Sequence, residues 1–275
     1  MQIEISNGIT VDTIELPSEI LNRPVTINFY GAPQVAGSKE CSLLLFNDGQ
    51  DIEAMGFDKM LSYLLQTDAI HPILCVGIHA GEERLMEYGM ISTPDFKGRG
   101  VRAPQYRQFI IEELLPFIHQ HVNKASFKEI GIAGFSLGGL SAIDLAWNHP
   151  EIFSKVGVFS GSLWWRLKDK KDKDYNESFD RLMHRQIRMG DYHPGQQFFF
   201  SCGEQDETED RNNNGVIDCI DDTIDLMREL MAKGYLEGKD MYYLQLPDGK
   251  HDVRSWAKAL PVFLKWGWRK KKPEA

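Results

Sequence analysis

A serine between two glycines is the first residue in this sequence whose setting suggests chemistry. Residues 132–142 read IAGFSLGGLSA, so Ser136 stands in a G-x-S-x-G pattern with Gly134 and Gly138. A strand-like apolar run precedes the pattern and a helical pattern follows it. Glycine at both places lets a strand turn sharply into a helix without Cβ clashes, which exposes the serine hydroxyl at the helix N-terminus. The pattern predicts that Ser136 is a nucleophile and that the Leu137 N–H faces a developing oxyanion; a glycine-rich turn without a catalytic role is the alternative.

A serine nucleophile needs a base to take its proton, and histidine is the usual one. Two histidines lie near the last strand-like runs. His193 precedes the run FFFSCG, and His251 follows the final run in the sequence LPDGKHDVRSW. Hydrolases with a G-x-S-x-G turn place their residues in the order serine, acid, histidine. This order favours His251 as the base.

The acid that orients the histidine is expected after the run FFFSCGEQD, at residues 198–206. The candidates are Glu204, Asp206 and Glu207. Asp206 comes three residues after Gly203, where the chain has turned away from the strand end. We therefore expect Asp206 to be the acid.

The elements that would position these residues alternate along the chain. Apolar runs typical of strands buried on both faces end in turn residues; they occupy residues 42–51, 72–81, 129–136, 155–162, 198–206 and 241–249. Helical patterns lie between them, over residues 103–122, 138–148, 221–233 and 252–268. Alternating segments at residues 3–16 and 23–30 indicate half-exposed edge strands. This order predicts an α/β fold with a mostly parallel central sheet of about eight strands and helices on both faces.

We expect a single domain over residues 1–275, because no internal repeat or low-complexity linker divides the chain. The basic segment at residues 168–173 and the stretch after it interrupt the alternation. They indicate an insertion at about residues 166–195, over the carboxyl edge of the sheet. This insertion is either a lid or a solvated charged loop.

These segments together resemble the putative esterase family of α/β-hydrolases, which includes esterase D, enterochelin esterases, feruloyl esterase domains and mycolyltransferases. The matching stretches span about residues 23–268 in the expected order. They read LLLFNDGQD, VGIHAGEERLMEYG, IAGFSLGGLSAIDLAWNHPEIFSKVGVFSGSLWW, GEQD and GKHDVRSWAKALPVFL. The resemblance implies a triad of Ser136, Asp206 and His251.

The resemblance also implies further site residues. The oxyanion hole would be formed by the N–H groups of Leu137 and Gln50. The turn before Gln50 is a DG variant where most forms read HG. An R-x-x-E-Y element would support and line the site; its members are Arg84, Glu87 and Tyr88. Trp164 and Trp165, which follow an SGS turn, would lie near the pocket, with buried packing as the alternative.

A second motif follows the expected acid. Residues 210–221 read DRNNNGVIDCID, which has the spacing of an EF-hand loop with glycine at position 6 and aspartate in place of glutamate at position 12. The expected ligands are Asp210, Asn212, Asn214, the Val216 carbonyl, Asp218 and Asp221. Residues 204–222 carry eight acidic groups and one arginine, so a cation would relieve their repulsion. We expect a structural calcium ion that orders the turn presenting Asp206; an open, hydrated acidic loop is the alternative.

The composition limits the binding partners and the cellular compartment that we expect for this protein. The chain of 275 residues has a net charge of −9 and a pI near 5.4, which disfavours binding to nucleic acid. Its four cysteines form no metal-binding or redox spacing, so we expect small buried side chains in a reducing compartment. No signal-like N-terminus or membrane-spanning run is present, which gives the expectation of a cytoplasmic protein with no membrane partner; a chain trimmed of its signal would look the same. The oligomeric state is left open.

The sequence therefore predicts a serine carboxylic-ester hydrolase that forms an acyl-enzyme and needs no organic cofactor. Its substrate would be a small-molecule or glycosyl ester. Three alternatives stay open at this point. They are an acyltransferase on the same triad, an amidase or peptidase, and a non-catalytic binding protein on a hydrolase scaffold.

Overall fold

The computed structural model describes residues 3–6, 8–31, 38 and 40–270. Nine strands form one sheet in the order β1-β2-β3-β5-β4-β6-β7-β8-β9. Strands β4 to β9 are parallel, and β1, β2 and β3 add an antiparallel edge. The strands are β1 (Ile3–Ser6), β2 (Ile9–Ser18), β3 (Arg23–Gly31), β4 (Ser42–Asn47), β5 (Ile73–Ile78), β6 (Ile130–Phe135), β7 (Lys155–Phe159), β8 (Gln197–Gln205) and β9 (Met241–Lys250).

Ten α-helices and one π-helical segment, Phe109–Leu114, connect the described strands. The helices are α1 (Gly49–Ala54), α2 (Phe57–Gln66), α3 (Arg84–Glu87), α4 (Ala103–Gln108), α5 (Leu115–His121), α6 (Leu137–Asn148), α7 (Glu177–Asp180), α8 (Leu182–Met189), α9 (Asp218–Lys233) and α10 (Val253–Trp268). The predicted helix at residues 103–122 is therefore interrupted by the π-helical segment. None of the described helices is long and apolar enough to span a membrane.

Burial explains which strands form the centre of the sheet. Every residue of β4, β5 and β7 is buried, as expected for strands covered by helices on both faces. The apolar side chains form two large clusters. The predicted α/β architecture is confirmed, with nine strands instead of about eight. The extra strand arises because the segment expected as one strand at residues 3–16 forms an antiparallel hairpin of β1 and β2.

The parallel strands bring distant parts of the chain to one edge. Strands β4 and β6 are neighbours in register, and so are β8 and β9. All four end on the same side of the sheet, where the polar residues that follow them must meet. The predicted nucleophile, acid and histidine come directly after β6, β8 and β9.

The insertion at residues 166–195 contains α7 and α8 and packs against α9. Arg181 donates hydrogen bonds to Asp222 at 3.0 Å and to Asp225 at 2.9 Å. Arg188 forms a second ion pair, with Glu229. The insertion is thus anchored by charge to the helix that follows the acidic loop; its role as a lid remains a prediction.

Candidate active site

The turn between β6 and α6 holds Ser136 in an unusual backbone conformation. Its φ is 54° and its ψ is −121°, a region that non-glycine residues rarely adopt. A Cβ on Gly134 would lie 2.3 Å from the Gly138 carbonyl oxygen, so this crossing requires glycine. The Ser136 N–H donates to the Phe159 carbonyl at 2.9 Å, which ties the turn to β7. These contacts give the strand–turn–helix geometry expected for an exposed nucleophile.

The histidine predicted as the base reaches this serine. His251 follows β9, and its Nε2 lies 2.9 Å from the Ser136 Oγ, although 115 residues separate them in sequence. The Trp256 ring packs edge-on against the imidazole, with 5.3 Å between the ring centroids. Asp252, the next residue, is engaged as the N-cap of α10, where it accepts a hydrogen bond from the Ser255 N–H at 2.8 Å. Asp252 is therefore not the group that orients the imidazole.

The surroundings of His251 keep the imidazole neutral. Burial lowers its pKa below the ordinary value of 6.5, and the nearby Arg84 lowers it further. The carboxylates of Asp206 and Asp252 act in the opposite direction. A neutral imidazole near pH 7 can accept the serine proton, as a general base must.

Asp206 is the first residue after β8, beside the end of β9. One carboxylate oxygen, Oδ2, accepts from the Gly203 N–H at 3.0 Å and from the Cys219 thiol at 3.3 Å. The other oxygen, Oδ1, is buried and has no hydrogen-bond partner within the described part of the chain. The Asp206 carboxylate also acts to raise the pKa of His251, and its Oδ1 is left unused among the described residues.

The two other acid candidates are occupied elsewhere. Glu204 is exposed and accepts from the Gln245 side chain at 2.8 Å. Glu207 accepts from the Cys219 N–H at 2.5 Å in the first turn of α9. Burial raises the pKa of Glu207 to about 6. Of the three predicted candidates, Asp206 alone combines a free oxygen with influence on His251.

Two backbone N–H groups predicted for the oxyanion hole lie in the first turns of helices. Leu137 begins α6, and Gln50 is the second residue of α1. N–H groups in a first helical turn have no acceptor within the helix, so they can bind an anion. Because α1 and α6 follow the paired strands β4 and β6, both turns open at the same edge of the sheet.

The loop that presents Gln50 is held by contacts the sequence did not reveal. Asp48 adopts a left-handed conformation with φ of 60° and is almost fully buried. The Arg84 guanidinium donates two hydrogen bonds to the Asp48 carboxylate, at 2.6 and 2.7 Å. The Asp48 N–H donates to the Tyr88 hydroxyl at 3.1 Å. The sequence identified the residues of the R-x-x-E-Y element. It gave no indication that the Asp48 carboxylate is the partner of Arg84.

The structure corrects part of the predicted pocket. Glu87, Tyr88 and Trp165 are at most 1% exposed and cannot line a substrate site. Glu87 instead binds Arg23 through two hydrogen bonds of 3.0 and 2.6 Å. Trp165 packs against two glycines where any side chain would collide with its ring. These residues form the wall behind the site, because their polar or aromatic groups are used for packing.

Trp164 remains partly exposed, with the Arg99 guanidinium 4.7 Å from its ring centroid. Both residues line a cavity of about 230 Å³ that reaches the acidic region. Its other lining residues are Phe96, Lys97, Arg166, Glu207, Glu209 and Asp218. Trp164 is the member of the predicted pocket that lines this cavity, while Arg84 is partly exposed elsewhere.

The acidic loop folds tightly around its predicted ligands. Gly215 has φ of 85° at the sharp turn, and its N–H donates to Asp210 at 2.9 Å. The amides of Asn212 and Asn214 converge on one oxygen of Asp221, at 2.7 and 2.9 Å. The amide oxygens of Asn212 and Asn214 accept instead from the backbone N–H groups of Asn214 and Val216, at 3.1 and 2.7 Å.

The fifth side chain expected as a ligand, that of Asp218, forms ion pairs with basic residues. Asp218 is paired with Arg211 at 3.3 Å and with Lys170 at 3.7 Å. Among the described residues, the carboxylates of Asp210, Asp218 and Asp221 do not all lie within 4.8 Å of one another. Lys170 and Arg181 from the insertion also pair with the acidic cluster and add to the charge of Arg211. The residues at positions 1, 3, 5 and 12 carry oxygen atoms of the kind that calcium prefers, while position 9 pairs with cations of the protein.

The family model described as Putative esterase matches residues 18–266 of the chain. This match covers nearly the whole chain, so the protein belongs to that family. The predicted resemblance is confirmed.

Comparison with curated proteins gives two partial matches. The chain is 29% identical over 119 residues to the uncharacterized protein YbbA of Bacillus subtilis, covering 39% of this chain and 44% of that protein. It is 31% identical over 97 residues to an endo-1,4-beta-xylanase/feruloyl esterase of Xylanibacter ruminicola, covering 33% of this chain and 13% of that protein. The matched region spans less than half the length of either relative.

Among solved structures, a ferulic acid esterase is similar with a TM-score of 0.69 and 18% identity, covering 95% of this chain and 98% of that one. At this identity the similarity establishes the α/β-hydrolase fold. Family and fold therefore agree that the chain is an α/β-hydrolase of the putative esterase family.

Proposed function

We propose that the protein hydrolyses a small-molecule carboxylic ester with Ser136, His251 and Asp206 as its catalytic triad. The observation that carries this proposal is the 2.9 Å contact between the His251 Nε2 and the Ser136 Oγ at a strained turn. Family membership supplies the reaction class, and the local geometry supports these residues as the machinery.

The reaction follows from the positions of the groups. Ser136 Oγ attacks the ester carbonyl while His251 Nε2 takes its proton. The N–H groups of Leu137 and Gln50 bind the oxyanion as it forms. His251 then protonates the leaving alcohol, which departs and leaves the acyl group on Ser136. A water molecule, deprotonated by His251, releases the acid and restores the serine.

Asp206 acts through His251 in this proposal. Its buried Oδ1 accepts the Nδ1–H of His251 once the imidazole turns toward it, and the carboxylate stabilises the imidazolium. The Gly203 N–H and the Cys219 thiol hold Oδ2 and so fix the orientation of the carboxyl group. The hydrogen bond with Cys202 raises the pKa of the Cys219 thiol, and so does burial, so the thiol stays protonated and can donate.

The test is hydrolysis of p-nitrophenyl acetate and butyrate by the wild type and by Ser136→Ala. We expect kcat/KM to fall by about 10⁴-fold or more in Ser136→Ala. Ser162→Ala is a matched control, because the Ser162 Oγ lies 3.5 Å from the Ser136 Oγ. It should keep activity within about tenfold of the wild type, since its hydroxyl only neighbours the nucleophile. Equal activity in Ser136→Ala and the wild type would contradict the assignment.

We also propose that the loop at residues 210–221 binds calcium as a structural ion. Asp210, Asn212, Asn214 and Asp221 would hold it, with the Val216 carbonyl and with Asp218 acting through water. The support is the EF-hand spacing of the oxygen-bearing side chains around the Gly215 turn, where the Gly215 N–H donates to Asp210 at 2.9 Å. The ion would order the segment that joins Asp206 to α9 and takes no part in the chemistry.

Calcium binding can be measured apart from catalysis. We expect terbium luminescence, competed by calcium, in the wild type and its loss in Asp221→Ala. Chelation should lower Tm by several degrees, because the ion stabilises only the folded state. Asp248→Ala is a matched control, since this exposed carboxylate pairs with Lys258 outside the loop. An unchanged Tm on chelation, with no terbium signal, would contradict the calcium site.

A further inference from the structure

A pair of thiols lies beside the proposed catalytic acid. Cys202 is in β8 and Cys219 is in the first turn of α9, and their Sγ atoms are 3.7 Å apart. The Cys219 Sγ is also 3.3 Å from Asp206 Oδ2. Both thiols are buried, and the ligand atoms of all three residues lie within 4.8 Å of one another. Within the described residues this is the only such group of three.

The distances in this cluster match those around a tetrahedral zinc ion. With Zn–S bonds of about 2.3 Å and Zn–O bonds of about 2.0 Å, tetrahedral geometry separates two sulfurs by about 3.8 Å and a sulfur from an oxygen by about 3.5 Å. The observed separations of 3.7 and 3.3 Å are close to both values. A disulfide instead needs about 2.05 Å between the sulfurs. The cluster is therefore nearer to a metal site than to a disulfide.

The chemistry of the ligands selects the type of ion. Two thiolates favour a thiophilic divalent cation and disfavour calcium or magnesium, which take oxygen ligands. Neighbouring groups already orient the ligands, as the surroundings of metal sites do. The Thr223 Oγ1 lies 3.2 Å from the Cys202 Sγ, and the Gly203 N–H holds Asp206 Oδ2 at 3.0 Å.

We propose that Cys202, Cys219 and Asp206 form an inhibitory binding site for a thiophilic divalent cation such as Zn²⁺, with water as the fourth ligand. On binding, each thiol loses its proton to solvent and the ion bonds to both sulfurs and to the carboxylate. The ion bound at Oδ2 withdraws negative charge from the carboxylate, so Asp206 stabilises the imidazolium of His251 less well through Oδ1 and the esterase slows. The inhibition rests on the proposed function; the binding does not.

Binding is tested by calorimetry with Zn²⁺ and by the Cd²⁺–thiolate absorption band, with calcium present throughout. The protein is Ser136→Ala, alone or combined with Cys202→Ser, Cys219→Ser or Cys41→Ser. We expect Ser136→Ala to bind one equivalent of Zn²⁺. Adding Cys202→Ser or Cys219→Ser should weaken this binding at least tenfold, and adding Cys41→Ser should leave it unchanged. Cys41 is a matched control because it is also buried and free but lies directly before β4. Binding that none of these cysteine changes weakens would overturn the proposal.

Inhibition is then measured against each variant's own activity without zinc. We expect Zn²⁺ to inhibit the wild type and at least a tenfold higher concentration to be needed in Cys202→Ser and in Cys202→Ala. Equal inhibition of the wild type and both Cys202 variants would overturn the inhibitory role. If no ester is turned over, the proposed function fails while the calorimetry still decides the metal site. Loss of about 2 Da without bound metal, reversed by a thiol reductant, would show a disulfide and overturn the metal site.

Discussion

Two regions at the carboxyl edge of the sheet are held in different ways. The turn at residues 134–138, which carries Ser136, is fixed by close packing of backbone against backbone. The loop at residues 206–221, which carries Asp206, is fixed by side chains that cross-link carboxylates, amides, thiols and arginines. In the first region the base already contacts the nucleophile, while in the second one oxygen of the acid has no hydrogen-bond partner among the residues that the structure describes.

The packed turn with Ser136 depends only on the fold, whereas the charged loop with Asp206 also depends on pH, salt and metal ions. Packing between glycines is insensitive to salt, pH or metal ions, so the nucleophile should be ready whenever the protein is folded. Carboxylate loops respond to cations and to protonation, because their stability comes from charge. The contribution of Asp206 to catalysis should therefore be the adjustable part of the site.

The largest effect is expected from breaking the packed turn. Gly134→Ala would place a Cβ 2.3 Å from the Gly138 carbonyl oxygen, which the backbone cannot relieve without moving the serine. We expect a loss of about 3 kcal/mol or more in the free energy of unfolding, and loss of activity. Urea denaturation and ester hydrolysis measure the two effects.

Gly267→Ala is the matched control for this change. A Cβ at Gly267, in α10, would lie 3.4 Å from the Lys155 Cδ, an ordinary contact, so stability should hold or rise slightly. If Gly134→Ala were as stable as Gly267→Ala, the account of the turn would be wrong.

The next largest effect concerns the acid. Asp206→Asn keeps the size of the side chain but removes the charge that stabilises imidazolium, so kcat should fall by about 10³–10⁴-fold. Glu207→Gln, one residue further on, should lower kcat less than about tenfold, since an amide oxygen can still accept the Cys219 N–H. Steady-state kinetics on p-nitrophenyl butyrate compare the two variants. A larger loss in Glu207→Gln would move the acid role to that residue.

A smaller effect is expected for the dependence of esterase activity on pH. The base must be neutral, and the pKa of His251 is lowered mainly by burial, so activity should persist below pH 6.5 and fall only under more acidic conditions. Below that pKa, kcat/KM should decline about tenfold per pH unit. Since Asp206 raises the pKa of His251, Asp206→Asn should lower it further in an NMR titration. A higher imidazole pKa in this variant would contradict the placement of the acid.

The packed region was the easier one to predict from sequence. The Gly134 and Gly138 spacing, the order of strands and the position of His251 after the last strand follow from local patterns, and the structure agrees with each. Such features are local because a strand, a tight turn and a helix each leave a short sequence signature.

Charge partners between distant segments were not predictable in the same way. Arg84 pairs with Asp48, 36 positions away, and Arg181 pairs with Asp222, 41 positions away. Neither pair has a characteristic spacing. Burial was not predicted at Glu87 and was only the alternative at Trp165, because a motif shows residue types but not which way they face.

The most direct test of the central claim is labelling of the folded protein by a fluorophosphonate, followed by mass spectrometry of its peptides. The account predicts one adduct, on Ser136, formed much more slowly in His251→Ala and absent in Ser136→Ala. An adduct on another serine, or equal labelling of the wild type and His251→Ala, would contradict the claim that Ser136 and His251 form the catalytic pair.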